Sequence, residues 1–292
     1  LMPTVTDVER TPAPAPSPAP PAPSPAVAAA TGRRRPNGPW LYVAPALVAV
    51  ALLATGLWPR REAPPVAGET SPLTSYPGRE LHPALSPDGT RVAFAWSGPD
   101  GRAPGIYVKQ RNSETALRIT AEPGWPAWPA WLPDGQSLAF AQSAATSTAI
   151  CLVASLGGPV RRLRTVPSLV DGLSVDATGT RLAWAARTGV RGPYRLAGLS
   201  LNDPDAAWEP APATGTVGDV QPRFSPDGRW LAWVAVGPGG SGAIHRLALP
   251  DGRPELVAGA AGPVSGLAWS SGSDRLVYAA APGGTYDLWV VD

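Results

Sequence analysis

An all-β fold, a β-propeller of four-stranded antiparallel blades, is the class this sequence predicts, on three observations. A tight turn of the Ser-Pro-Asp-Gly type returns along the chain: its last positions are Gly89, Gly135, Gly179, Gly228 and Ser273, at steps of 46, 44, 49 and 45 residues. Each turn follows a short apolar run and precedes a strand that alternates with period two. Further short apolar runs complete each period. A fixed period of this size marks a repeat architecture, and four short strands per period fit a propeller blade. About five repeats are present and the last stops early, so the ring is expected to be incomplete.

The turns come first, because they set the register. Ser86-Pro87-Asp88-Gly89, Leu132-Pro133-Asp134-Gly135 and Ser225-Pro226-Asp227-Gly228 are intact or nearly so. Proline presets φ at the second turn position, aspartate suits the third, and glycine takes the left-handed conformation that other residues resist. Asp176-Ala177-Thr178-Gly179 and Ser270-Ser271-Gly272-Ser273 have lost the Pro-Asp-Gly core. Because Asp88, Asp134 and Asp227 recur with the repeat, they read as turn residues and not as catalytic acids.

The first strand of each repeat ends at Leu85, Trp131, Val175, Phe224 or Trp269. In the second strand, Val92, Phe94 and Trp96 point one way and Ala93 and Ala95 the other. Leu138/Phe140, Leu182/Trp184, Leu231/Trp233 and Leu276/Tyr278 repeat the large face, with Ala139, Ala183, Ala232 and Val277 between them. Large on one face and small on the other suits sheets that fan closely about an axis. Third strands are readable at 105–108, 149–153, 243–247 and 286–290, and fourth strands at 116–120, 160–163 and 254–257. Leu73-Thr74-Ser75 is left over before the first blade; it is the one run able to supply a missing fourth strand to the fifth blade.

Upstream, the composition changes. Thr11 to Pro25 is almost pure Pro, Ala and Ser, which favours an extended, solvated chain, so residues 1–39 read as a disordered linker. Trp40 to Trp58 is a run of 19 uncharged residues with aromatic residues at both ends, the pattern of a transmembrane helix. A signal peptide fits less well, since its apolar region is usually only about 7–15 residues long. Arg33, Arg34 and Arg35 precede the span and Arg60 and Arg61 follow it. This excess favours a cytoplasmic amino terminus and an extracytoplasmic propeller, in a single-pass bacterial inner-membrane protein. The domains are then linker 1–39, span 40–58, stalk 59–72 and propeller 73–292, with repeats at about 73–120, 121–166, 167–216, 217–258 and 259–292.

Residues 73–292 carry 18 basic and 18 acidic side chains, so the repeats have no electrostatic footprint for nucleic acid. Cys151 is the only cysteine and reads as a small buried hydrophobe within an apolar strand. His82, ahead of a first strand, and His245, in a third strand, are the only histidines, and they are not clustered as metal ligands would be. No cofactor or metal site is expected, and no Gly-x-Ser-x-Gly nucleophile elbow occurs. Trp125 and Trp128, within Gly124-Trp125-Pro126-Ala127-Trp128, fall at a blade crossover; beside core packing, they are candidates for a surface that meets a partner or ligand.

The strand–SPDG–strand pattern over residues 73–292 resembles the WD-like repeats of TolB-type propellers. The run LTSYPGRELHPALSPDGTRVAFAW, followed by IYVKQ and LRIT, is similar to the ectodomains of bacterial single-span regulators with a cytoplasmic winged helix, the CadC/ToxR-like layout. Similar propellers follow the span of some bacterial Ser/Thr kinases. The resemblance implies a sensor or interaction module that meets a protein or small ligand on its propeller face. It also implies that DNA is touched only through an upstream domain outside these residues, and that the chain is a fragment. A TolB-like scaffold and the propeller half of an S9-type peptidase are the other readings the resemblance allows. Neither winged-helix nor kinase motifs occur in these residues.

Overall fold

The computed structural model describes residues 72–187, 189 and 191–292. The predicted linker, transmembrane helix and most of the stalk lie outside the described residues. Among those described, no helix is long and apolar enough to cross a membrane.

The described chain is almost entirely strand, and the strands fall into successive antiparallel blades. Blade one is β1 (Glu80–Leu85), β2 (Arg91–Trp96), β3 (Gly105–Gln110) and β4 (Ala116–Arg118). Blade two is β5 (Trp125–Trp131), β6 (Ser137–Ser143), β7 (Thr148–Ala154) and β8 (Arg161–Val166). Blade three is β9 (Val170–Val175), β10 (Arg181–Arg187), β11 (Tyr194–Ser200) and the two-residue β12 (Ala207–Trp208). Blade four is β13 (Gly218–Phe224), β14 (Trp230–Val236), β15 (Gly242–Ala248) and β16 (Glu255–Ala260). Blade five has three strands, β17 (Val264–Trp269), β18 (Leu276–Ala280) and β19 (Asp287–Val291).

Strands β11 and β12 were not marked by the apolar runs. β11 carries Arg195 and Gly198, and β12 is too short to show a period. Blades three and four are joined into one sheet by a single parallel pair, Tyr194 with Gly218. A Cβ at Gly218 would lie 2.9 Å from the Tyr194 backbone nitrogen, so only glycine permits that approach.

Packing follows the large-face, small-face rule. Ala93 and Ala95 of blade one share a core with Leu138 and Phe140 of blade two. Ala139 and Ala141 pack with Leu182 and Trp184, Ala183 and Ala185 with Leu231 and Trp233, and Ala232 and Val234 with Leu276 and Tyr278. The alanines bring neighbouring sheets together, and the large side chains fill the space. Full burial of one such large side chain contributes roughly 1.5–3 kcal/mol. Indole N–H groups fasten adjacent first strands: Trp131 Nε1 donates to Ala84 O at 3.0 Å, and Trp269 Nε1 to Arg223 O at 3.0 Å.

The turns use one hydrogen-bond scheme with exchanged parts. In the first, Ser86 Oγ accepts the Arg91 N–H at 2.9 Å and donates to Asp88 Oδ1, which accepts the Thr90 N–H at 3.0 Å. The fourth repeats it with Ser225, Asp227, Arg229 and Trp230. In the third, Asp176 Oδ1 alone accepts both the Thr180 and Arg181 N–H groups, at 2.8 and 2.9 Å. In the fifth, Ser270 Oγ accepts the Arg275 N–H, and the carboxylate moves to Asp274. Gly89, Gly135, Gly179 and Gly228 have φ between 63° and 72°, and Ser273 takes φ 61° at the same position.

Blade five has no fourth strand among the described residues, and Leu73-Thr74-Ser75 does not supply one. The chain at that point is held to blade one instead. Tyr76 stacks on Trp96 with ring centroids 4.7 Å apart, and its hydroxyl donates to Glu114 O at 2.9 Å. Among the described residues, β19 pairs with β18 alone.

Candidate functional site

Each first strand breaks its ladder at the same place. Register shifts interrupt the β1–β2, β5–β6, β9–β10, β13–β14 and β17–β18 pairings. The residue at each break is left-handed: His82 (φ 54°), Trp128 (φ 55°), Gly172 (φ 67°), Gln221 (φ 54°) and Gly266 (φ 75°). Each stands seven positions before the last residue of its turn. Such bulges bend a strand and re-aim its side chains. Pro83, Pro129 and Pro222 follow three of them; proline has no N–H to give to a ladder, so it suits an interrupted one. Holding a non-glycine residue left-handed costs about 1–3 kcal/mol.

Four of the five bulge residues, His82, Trp128, Gln221 and Gly266, line an axial cavity of about 830 Å³. His82, Trp128, Gln221 and Arg223 line it, among mostly small and apolar neighbours. The His82 and Trp128 rings lie 3.8 Å apart between centroids, tilted by 34°. Gln221 Oε1 accepts the Gly266 N–H at 2.9 Å, tying blade four to blade five. Arg223 Nε donates to Leu267 O at 3.1 Å, and Nη1 to Pro222 O at 3.0 Å and Leu173 O at 3.5 Å. Burial, with the Arg223 charge adding to it, pushes the His82 pKa down. Burial pushes the Asp171 carboxyl up, and Arg223 opposes that.

The sequence-derived candidates separate accordingly. Trp128 is a bulge residue lining the cavity, and Trp125 is exposed at the start of the same strand; both lie within β5 and not at a crossover. His82 lies inside β1, not ahead of it. Pro87, Asp88, Gly89, Pro133, Asp134, Gly135, Gly179, Pro226, Asp227 and Gly228 sit in the turns that join first strands to second strands. Hydrogen bonds from Ser86 and Ser225 head the causes that hold Asp88 and Asp227 at about 2. Cys151 is buried in β7, and burial pushes its thiol up to about 11. His245 lies in β15 against Trp233, remote in sequence from the bulges. Among the described residues, no group of three or more His, Cys, Asp or Glu is placed to hold a metal ion.

Gln221 and Arg223 were missed in the sequence. The signal was present: at a fixed offset before the turn, the five copies read His, Trp, Gly, Gln and Gly, three of them before proline.

No family model matches the chain. Among curated proteins, the Tol-Pal system protein TolB of Nitratidesulfovibrio vulgaris is 31% identical over 122 residues, 42% of this chain and 27% of that protein. Among solved structures, TolB from Acinetobacter baumannii matches with a TM-score of 0.63 at 19% identity, over 73% of this chain and 51% of that one. The putative TolB from Agrobacterium tumefaciens matches with a TM-score of 0.59 at 18% identity, over 73% and 76%. The fold is that of a TolB-like β-propeller, and the chain spans about half or less of the length of the first two of these proteins.

Proposed function

We propose that this propeller is a non-catalytic recognition module, an interaction scaffold that meets a protein partner over its axial mouth. One observation carries the reading. Positions that build the fold are nearly uniform across the blades: the turn glycine, the alanine face and the large aliphatic–aromatic face. Positions at the first-strand bulges vary more: His82, Trp128 and Gln221 in three blades, and glycine at 172 and 266 in the other two. A constant scaffold presenting varied side chains around a concavity is what recognition requires. The recurring acids are engaged in turn hydrogen bonds, which supports the non-catalytic part.

The finer form of the proposal is a membrane-anchored signalling protein with its propeller outside the cytoplasm. The uncharged run 40–58 and the arginines before it support the anchor and its orientation. DNA would be contacted only through a winged-helix domain outside residues 1–292, as in the regulators this sequence resembles.

A photo-activatable residue in place of Trp128, compared with one at Leu117 of the outer strand β4, tests the recognition reading in cells. A discrete adduct at the axial position alone is expected; adducts at Leu117 alone would overturn it. For the topology, a reporter active only in the periplasm, fused after Asp292, should be active. A silent periplasmic fusion beside an active cytoplasmic one would reverse the orientation.

A further inference from the structure

Two residues after each left-handed bulge, the first strands carry Ala84, Ala130, Ser174, Arg223 and Ala268. Four blades place a small side chain there, and one sends a long cation to the axis. Arg223 is the only Asp, Glu, Lys or Arg among the residues that line the cavity. A propeller whose repeats balance 18 basic against 18 acidic residues thus presents a single positive charge at its centre.

That charge is held in place by backbone carbonyls and not by a direct ion pair. Carbonyls from blades three, four and five accept its Nε–H and Nη1–H bonds, which fixes the plane of the guanidinium. No carboxylate among the described residues forms an ion pair with it. Asp171 acts on Arg223 electrostatically, but it is not among those pairs, and its buried Oδ1 accepts no hydrogen bond. Carbonyl dipoles position a cation, yet a desolvated charge with no carboxylate in direct contact remains costly. Nη2 takes part in none of the three bonds. In the same cavity, the His82 and Trp128 rings, 3.8 Å apart between centroids and tilted by 34°, present aromatic surface. A volume of about 830 Å³ falls within the usual size of a small-molecule pocket.

We infer that the axial cavity is a binding site for a small organic carboxylate carrying a flat ring. The carboxylate accepts from Arg223 Nη2, and the ring lies against Trp128 and His82. A charge-assisted hydrogen bond from an arginine already fixed by other contacts loses little freedom on binding, which favours affinity and orientation together. The inference goes beyond the docking of a protein partner and does not depend on which partner that is.

The probes are benzoate and its uncharged isostere benzamide, titrated calorimetrically into the 292-residue chain held in mild detergent. Saturable one-to-one binding of benzoate is expected, with benzamide weaker by about tenfold or more. R223Q with a wild-type circular dichroism spectrum should lose benzoate binding by a similar factor, and W128A should weaken both probes. Equal binding of the two probes overturns the proposal, as does wild-type affinity in folded R223Q. Chloride or phosphate competing as strongly as benzoate shows an adventitious ion only, and also overturns it. Should R223Q fail to fold, the comparison of probes on the unsubstituted chain still decides the matter. Neither result alters the cross-linking pattern expected of a docked protein.

Discussion

Leu288 and Ile244 occupy the same register position in successive blades, yet Ile244 is 1% exposed and Leu288 is 80% exposed. Ile244 pairs with Val234 and Leu288 with Ala279, each six residues beyond the last residue of its turn. Ile106, Ile150 and Leu196, paired with Ala95, Ala141 and Ala185, are the other members of the set, and all are buried. The next blade's large face covers four of the five. I244A should therefore destabilise the propeller by about 2–5 kcal/mol, and L288A by about 0.5 kcal/mol or less. Urea unfolding measures both, and equal losses would show that the outer face of blade five is covered.

The bulges make a second pair of outcomes. A Cβ on Gly266 meets nothing within 4 Å, whereas one on Gly172 would lie 2.7 Å from the Gln221 backbone. G266A should cost only the left-handed penalty, about 1–2 kcal/mol. G172A should cost more, because the neighbouring strand has to move. A G172A variant no less stable than G266A would contradict the tight contact between the first strands of blades three and four.

Acid should weaken the turns in a defined window. The folded pKa values of Asp88 and Asp227 are held at about 2, below the 3.8 of an ordinary aspartate. A depressed carboxylate pKa gives stability that is fully present above the unfolded value and is lost as pH falls through the folded one. Chemical-denaturation midpoints should thus fall between pH 4 and pH 2, and the D88N/D227N double variant should show a shallower fall. An unchanged slope would mean that these carboxylates do not hold the turns.

Cys151 supplies a reactivity test. Its side chain is buried in β7, and its thiol is pushed up to about 11, so little thiolate forms near neutral pH. Labelling by iodoacetamide should be negligible in the folded protein and complete in denaturant. Rapid labelling without denaturant would show that the core shared by blades one and two opens.

The blades were legible because their signals are local. Pro87-Asp88-Gly89 and the alternation from Val92 to Trp96 declare a turn and a strand without reference to distant residues. The worn turns remained legible through spacing, and the structure shows why they still work: Asp176 does alone what Ser86 and Asp88 do together. The axial residues were harder to read, because nothing local distinguishes Gln221 or Arg223. Their role arises where five first strands converge, and only counting back from the turns reveals the common offset. Trp125 and Trp128 drew notice as aromatics, but the chain pattern did not say that Trp128 lines the cavity while Trp125 stays at the exposed strand end. The openness of blade five was likewise legible only as a missing fourth strand. Which way Tyr76 turns depended on its stacking against Trp96.

The proposed recognition at the axial mouth predicts where a partner shields the backbone. Amide hydrogen exchange with the cross-linked partner in place measures that shielding. Protection is predicted in the first strands at 80–85, 125–131 and 218–224, with the outer strands at 116–118, 161–166 and 255–260 unchanged. Protection confined to those outer strands would contradict it.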